Sequence, residues 1–262
     1  MRIATYNLWN PVKGLGERHA QLASEIIRVN ADIIGLQEVI PEQYEQLRQE
    51  LPYAYSVFTE YVNEKEGLAI FSKYPIQESF SLARSEAHGF SAALHVIVET
   101  EMFRFSVTNL HLPWDSALEK ERQITIIDRF IKLQREKADF YLMMGDFNMT
   151  LQSSIHRFLL GEQSLLGCES NPYWFDLAST YAAITHTENK ATLHFQENPR
   201  WGGQNTVEMP VVYDRILIMN SYGRQYREDL KYAGIFGTEV SPVTGYAPSD
   251  HYGVMADVDF FV

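Results

Sequence analysis

Apolar positions recur along the chain with two periods, and the changes of period mark the elements. Arg2-Ile3-Ala4-Thr5-Tyr6-Asn7-Leu8 predicts a short strand over Arg2–Leu8, which Pro11 to Gly16 then breaks. Residues 17–30 predict a helix with Leu22, Ala23, Ile26 and Ile27 on one face. Asp32-Ile33-Ile34-Gly35-Leu36-Gln37 is a continuous apolar run, the pattern of a strand covered on both faces. After Pro41, the spacing of Tyr44, Leu47 and Leu51 predicts a second helix. Leu68–Ser72, Ala92–Glu99 and Phe103–Leu110 predict strands, the last two joined as a hairpin around Thr100-Glu101. A long helix is expected over Ala117–Lys137, with Ile124, Ile127 and Leu133 among charged residues, followed by a strand over Asp139–Met144. Val211–Met219 and Tyr252–Phe260 predict the last strands. Thr185–Pro210, with Trp201-Gly202-Gly203, has no clean period and is expected to be a functional or mobile loop.

Strands occur throughout, with helices early and central, and no repeat or linker interrupts them. The expectation is an α/β fold: one domain, residues 1–262, built from two packed sheets with helices outside them. Composition narrows the function. With 13% aromatic residues the chain is not disordered, and a single cysteine, Cys168, excludes a disulfide scaffold. No run of about 18 apolar residues predicts a membrane span. A formal net charge of −12 argues against a coat for duplex DNA, which needs a basic face, but permits a phosphate handled locally beside a cation. The first strand starts almost at Met1, leaving no room for a signal peptide, so a cytoplasmic location is expected.

The chemistry-bearing residues cluster at strand ends. Asn7 ends the first strand, Gln37-Glu38-Val39 the second, and Asn109-Leu110-His111-Leu112 the strand before the long helix. Gly145-Asp146-Phe147-Asn148 ends the strand after that helix, and Ser249-Asp250-His251 precedes the last strand. Asp214 lies inside Val212–Ile218. Glu38 and Asp250 are hard oxygen ligands suited to Mg²⁺, with Mn²⁺ as a substitute, and Asn7 adds a neutral oxygen. Asp146 is a candidate base or orienter for an attacking water. His111, His251 and Asn148 can donate to a phosphate, and Asp214 can orient His251 and favour its protonated form. Arg215, next to Asp214 on a strand, points to the opposite face and is a poor partner for it.

In their order these motifs resemble the endonuclease/exonuclease/phosphatase superfamily: Tyr6-Asn7, Leu36-Gln37-Glu38-Val39, His111-Leu112, Gly145-Asp146-Phe147-Asn148, Asp214-Arg215 and Ser249-Asp250-His251. The resemblance implies a four-layer α/β sandwich of two mixed or antiparallel sheets flanked by helices, with the site at the mouth between the sheets. It implies Mg²⁺-dependent attack of water on a phosphate ester. Glu38 would then be the principal metal ligand, with Asn7 and Asp250 assisting, while Asp146 and Asn148 position the water. His251, paired with Asp214, steadies the phosphate, and His111 sits opposite as a second phosphate ligand. Tyr213-Asp214-Arg215-Ile216, Pro248 to Gly253 and the segment Thr192 to Asn198 resemble the tyrosyl-DNA phosphodiesterase branch, with Leu193 where that branch has Trp. Asn7-Leu8-Trp9 instead looks like neutral sphingomyelinases. Trp9 and His111 both depart from the abasic-site endonucleases.

The substrates in play are therefore a nucleic-acid end or single strand, a small soluble phosphoester such as a small diester, or a phospholipid or phosphosphingolipid headgroup, with a phosphatase as the alternative to a phosphodiesterase. A non-catalytic, metal-dependent binding module is the reading from another class. A binuclear metallophosphatase lacks its histidines here. Among the other polar residues, His19, His88, His95, His156, His186 and His194 lack the spacing of a zinc site. His194, Trp114 and Trp201 are expected to pack in or on loops. Cys168 is expected to be a small core hydrophobe, and Glu119-Lys120-Glu121-Arg122 a solvated helix face.

Overall fold

The computed structural model describes residues 1–10, 15–61, 65–82, 93–202 and 207–262, with backbone alone for 15–17. Part of the predicted break at 11–16, Ala92 at the start of a predicted strand, His88 and Gly203 lie outside the described residues. The elements run in the order β1 (Arg2–Asn7), α1 (Leu15–Val29), β2 (Ile33–Val39), α2 (Pro41–Glu50), β3 (Tyr55–Glu60), β4 (Gly67–Ser72) and β5 (Ile76–Leu82). They continue with β6 (Ala93–Glu99), β7 (Arg104–His111), α3 (Ala117–Leu133), β8 (Phe140–Asp146), α4 (Ser154–Leu159), β9 (Trp174–Asp176) and α5 (Leu177–Thr185). After a 3-10 turn at Pro199–Trp201 come β10 (Asp214–Met219), β11 (Arg227–Phe236) and β12 (Gly253–Phe261).

The strands form two six-stranded sheets, in the orders β11-β12-β1-β2-β4-β3 and β5-β6-β7-β8-β10-β9. Both are mixed, since β1 pairs parallel with β2 and β7 parallel with β8 while their other neighbours are antiparallel. The central strands are buried on both faces because successive side chains enter different layers. In β8, Phe140, Leu142 and Met144 point between the sheets, whereas Tyr141 and Met143 meet α3 and α4. In β2, Ile33 points between the sheets and Ile34 and Leu36 pack under α1 and α2. The result is helix, sheet, sheet, helix: the four-layer sandwich expected from the motifs. No helix among the described residues is long and apolar enough to cross a membrane.

Differences from the pattern have local causes. α3 stops at Leu133 rather than at Lys137, and Leu133 is 74% exposed. At 100° per residue it lies half a turn from Ile124, so Ile131 completes the buried stripe with Ile124 and Ile127. Ile27 is likewise outside the α1 core face. Val211 does not enter β10 but makes an isolated bridge to Leu193. Cys168 is exposed on a turn rather than buried.

Candidate active site

The topology brings the motifs to one edge of the sandwich. β1 and β2 run parallel and end side by side at Asn7 and Gln37, while β7 and β8 end side by side at His111 and Asp146. β10 is antiparallel to β8, so Asp214, its first residue, lies opposite Asp146 instead of inside the strand. β12 is antiparallel to β1, so the Asp250-His251 segment that precedes it reaches the same mouth. Leu193 bridges to His251, and a cleft of about 490 Å³ opens there between the sheets.

Three non-glycine residues of the site have left-handed backbone: Trp9 (φ 52°), Glu38 (φ 55°) and Asn148 (φ 46°). At Glu38 the register of β2 against β4 also slips, a bulge that re-aims the carboxylate into the mouth. Such conformations cost of order 1–3 kcal/mol each and persist only where surrounding bonds fix them. Here those bonds are on hand. Trp9 N–H donates to Asn7 Oδ1 at 2.9 Å, Asn10 N–H to Glu38 Oε2 at 3.0 Å, and Asn148 N–H to Asp146 Oδ1 at 2.8 Å.

Asp146 is the hub. Its Oδ2 accepts from Asn7 Nδ2 at 3.0 Å and lies 3.7 Å from His111 Nε2 and 3.8 Å from His251 Nε2. Asn7 Nδ2 also donates to Glu38 Oε1 at 3.0 Å. Because the Asn7 oxygen is held by Trp9 N–H, Asn7 bridges two carboxylates through its nitrogen. His251 Nδ1 lies 2.9 Å from Asp214 Oδ2, while Arg215 turns away to Asp176 at 3.0 Å, as the alternation of strand faces requires. Asn148 Nδ2 donates to the Leu112 carbonyl at 2.9 Å, and Lys120 Nζ to the Asn148 carbonyl at 2.7 Å. Lys120 is therefore half-buried support for the site, not part of a solvated face.

The electrostatics are those of crowded carboxylates. Burial, joined by the charges of Glu38, Asp146 and Asp214, pushes the Asp250 carboxyl up to about 7 against the pull of His251. Burial alone would discharge His251, but Asp214 and Asp146 outweigh it and hold the imidazole well above its ordinary value, which favours the protonated ring while no cation is bound. Asp214 Oδ1 is buried with no hydrogen-bond partner. Asp146, Asp214 and His251 each bring a ligand atom within 4.8 Å of the others, a buried group that could hold a metal ion only with the His251 ring deprotonated; Glu38 and Asp250 lie outside it. So much buried negative charge fits a hard divalent cation, which prefers oxygen donors.

Sequence reasoning missed Tyr61, whose hydroxyl lies 2.9 Å from His111 Nδ1. No periodic signal marks it, because it follows an edge strand. Trp114 was expected to pack in its loop, yet it is 73% exposed and lines the cleft. Trp201 also lines the cleft, packs on Phe195 with ring centroids 4.8 Å apart, and donates to the Asp250 carbonyl. His194 turns to Glu197. The Thr192–Asn198 segment braces the site from behind. Thr192 Oγ1 accepts from the Asp214 N–H, and Asn198 Nδ2 donates to the Ser249 and Asp250 carbonyls.

A family model described as Endonuclease/Exonuclease/phosphatase family matches residues 4–251. The chain belongs to this family. As a member of the Endonuclease/Exonuclease/phosphatase family it is a phosphoric ester hydrolase. A comparison with curated proteins gives no match. Among solved structures it resembles D. rerio TDP2 complexed with a single-strand DNA product, at 16% identity and TM-score 0.77, covering 99% of this chain and 98% of that one. It also resembles the mannosyl-6-phosphatase Bt3783 of Bacteroides thetaiotaomicron, at 18% identity and TM-score 0.74, covering 99% and 100%. A functionally unknown conserved protein from Enterococcus faecalis is similar at 21% identity and TM-score 0.73, covering 99% of each chain. At these identities the likeness is one of fold.

Proposed function

We propose that residues 1–262 form one cytoplasmic, Mg²⁺-dependent phosphodiesterase unit that cleaves a nucleic-acid end or a small phosphodiester by in-line attack of water. The observation that carries this reading is the convergence on one carboxylate oxygen, Asp146 Oδ2, of Asn7, His111 and His251 from three strand ends. Glu38 and Asp250 would hold the cation, with Asn7 assisting and fixing the direction of Glu38. Bound there, a divalent ion would supply charge neutralisation for the phosphate. Asp146, fixed by Asn7 and by the Asn148 N–H, orients the attacking water and accepts its proton. Protonated His251, held by Asp214, and His111 on the other side donate to the phosphoryl oxygens as their charge grows. Asn148 completes the water's position.

The described lining of the cleft carries Glu38, Glu66 and Glu208 and no lysine or arginine side chain. Together with a net charge of −12 this favours a strand end or a small diester over a long duplex. The TDP2 likeness with its DNA product supports the nucleic-acid arm, and the exposed Trp114 offers a face on which a base or aryl group can stack.

The test is a rate panel with Mg²⁺ or Mn²⁺ over a chromogenic phosphodiester, a 5′-tyrosyl oligonucleotide, an abasic duplex, single-stranded DNA and RNA, sphingomyelin and a phosphoinositide. One substrate should be cleaved far faster than the rest, and Asp146→Asn and His251→Ala should each lower its kcat by roughly 10²–10⁴-fold. No turnover of any substrate with any divalent ion, or rates unchanged by both substitutions, would overturn the assignment.

A further inference from the structure

His111 enters the mechanism as a hydrogen-bond donor, which requires its proton to sit on one particular nitrogen. A neutral imidazole carries a single N–H, and the tautomer is set by what faces each nitrogen. Nε2 faces the Asp146 carboxylate at 3.7 Å, and an ionised carboxylate can only accept. Nδ1 faces the Tyr61 hydroxyl at 2.9 Å. Tyr61 comes from the first sheet, directly after β3, and His111 from the end of β7 in the second. The contact therefore spans the two sheets at the mouth. Tyr61 is only 4% exposed, its ring packs in the core between the sheets, and its backbone N–H is tied to the Glu66 carbonyl at 2.8 Å. The hydroxyl thus has little freedom to leave His111.

We propose that Tyr61 is a positioning residue for the hydrolysis. Its hydroxyl donates to His111 Nδ1, locks the ring as the Nε2–H tautomer, and aims that N–H past Asp146 at the phosphoryl oxygen. The cleft gives this lock weight. With no lysine or arginine side chain in its described lining, a phosphate there has neutral donors and imidazoles to meet, and His111 and His251 are the two imidazoles. His251 already has Asp214 on its other nitrogen, and Tyr61 fills the same place for His111 with an uncharged group.

Two measurements test this, and only the first rests on the phosphodiesterase reading. In the rate arm, on the substrate that wild type cleaves, Tyr61→Phe should lower kcat by roughly 10–100-fold, the usual scale for losing a group that orients a functional imidazole, while KM moves less than about threefold. In a His111→Ala background the same change should cost nothing further. In the spectroscopic arm, two-bond ¹H–¹⁵N correlation of the histidine rings at pH 7.5 in chelator reads the tautomer directly. The His111 signals, identified by their loss in His111→Ala, should show Nε2–H in wild type and a mixture in Tyr61→Phe. A wild-type ring that is Nδ1–H or doubly protonated overturns the proposal. So does a Tyr61→Phe kcat within twofold of wild type, or a loss of equal size when His111 is absent. If Tyr61→Phe does not fold, the wild-type spectrum still decides. If wild type cleaves nothing, the phosphodiesterase reading fails while the tautomer is read all the same.

Discussion

Asp250→Asn separates the stability of the fold from the needs of its site. Asp250 is 6% exposed, and its carboxyl is pushed from 3.8 up to about 7, first by burial and then by the charges of Glu38, Asp146 and Asp214. Between those two pH values the folded protein keeps a proton that the unfolded chain has released, so stability falls as pH rises through this window. At about 1.4 kcal/mol per pH unit the cost of holding Asp250 ionised in the cation-free fold approaches about 4 kcal/mol at pH 8. Asparagine removes that charge and keeps the shape. The bonds that hold this segment go to the Asp250 backbone carbonyl, from Asn198 and Trp201, and survive the change. Part of the gain is lost because Asp250 also helps keep His251 charged. Urea unfolding in chelator should therefore find Asp250→Asn more stable than wild type by about 2–4 kcal/mol at pH 8, and by nearly nothing at pH 4. Saturating Mg²⁺ should narrow the gap or close it. A ligand at a hundred times its Kd adds about 2.7 kcal/mol to the chain that binds it, and the variant has lost a ligand. A difference in chelator that is the same at pH 5 and pH 8, or a variant less stable at pH 8, would refute the reasoning.

Two further substitutions probe the scaffold. Burial, with a smaller push from Lys137, lowers His95 to about 4, so the folded ring stays neutral while the unfolded chain takes up a proton below pH 6.5. Wild type should lose about 2 kcal/mol of stability on this account between pH 7.5 and pH 5, and His95→Gln, which can keep the bond to Thr108, should not; equal pH losses in urea melts would contradict it. Gly145 has φ +139°, and a Cβ there would sit 1.9 Å from the Leu110 carbonyl oxygen, so Gly145→Ala should destabilise by about 3 kcal/mol or more. A melting temperature within about 2 °C of wild type would show that the β7–β8 pair yields more easily than its packing implies.

How much of this was legible in the sequence divides along a physical line. The eight predicted strands are the eight interior ones, β1, β2, β4, β6, β7, β8, β10 and β12, and the four that the pattern does not predict, β3, β5, β9 and β11, are the four sheet edges. An interior strand of a four-layer sandwich is covered on both faces and reads as a continuous apolar run. An edge strand must resist pairing with another chain, and β11 does so with Arg227, Glu228, Asp229 and Lys231. That same defence hides it from a hydrophobic pattern. The site divides likewise. The candidate residues Glu38, Asp146, Asp214 and His251 stand in short motifs at interior strand ends. The residues that only orient them were invisible. Tyr61 follows an edge strand, Lys120 sits in a helix run that looks solvated, and the nitrogen-first orientation of Asn7 is decided by a backbone N–H two residues on. Motifs thus name the groups that act, while tautomer, rotamer and amide direction come from neighbours that only the fold assembles.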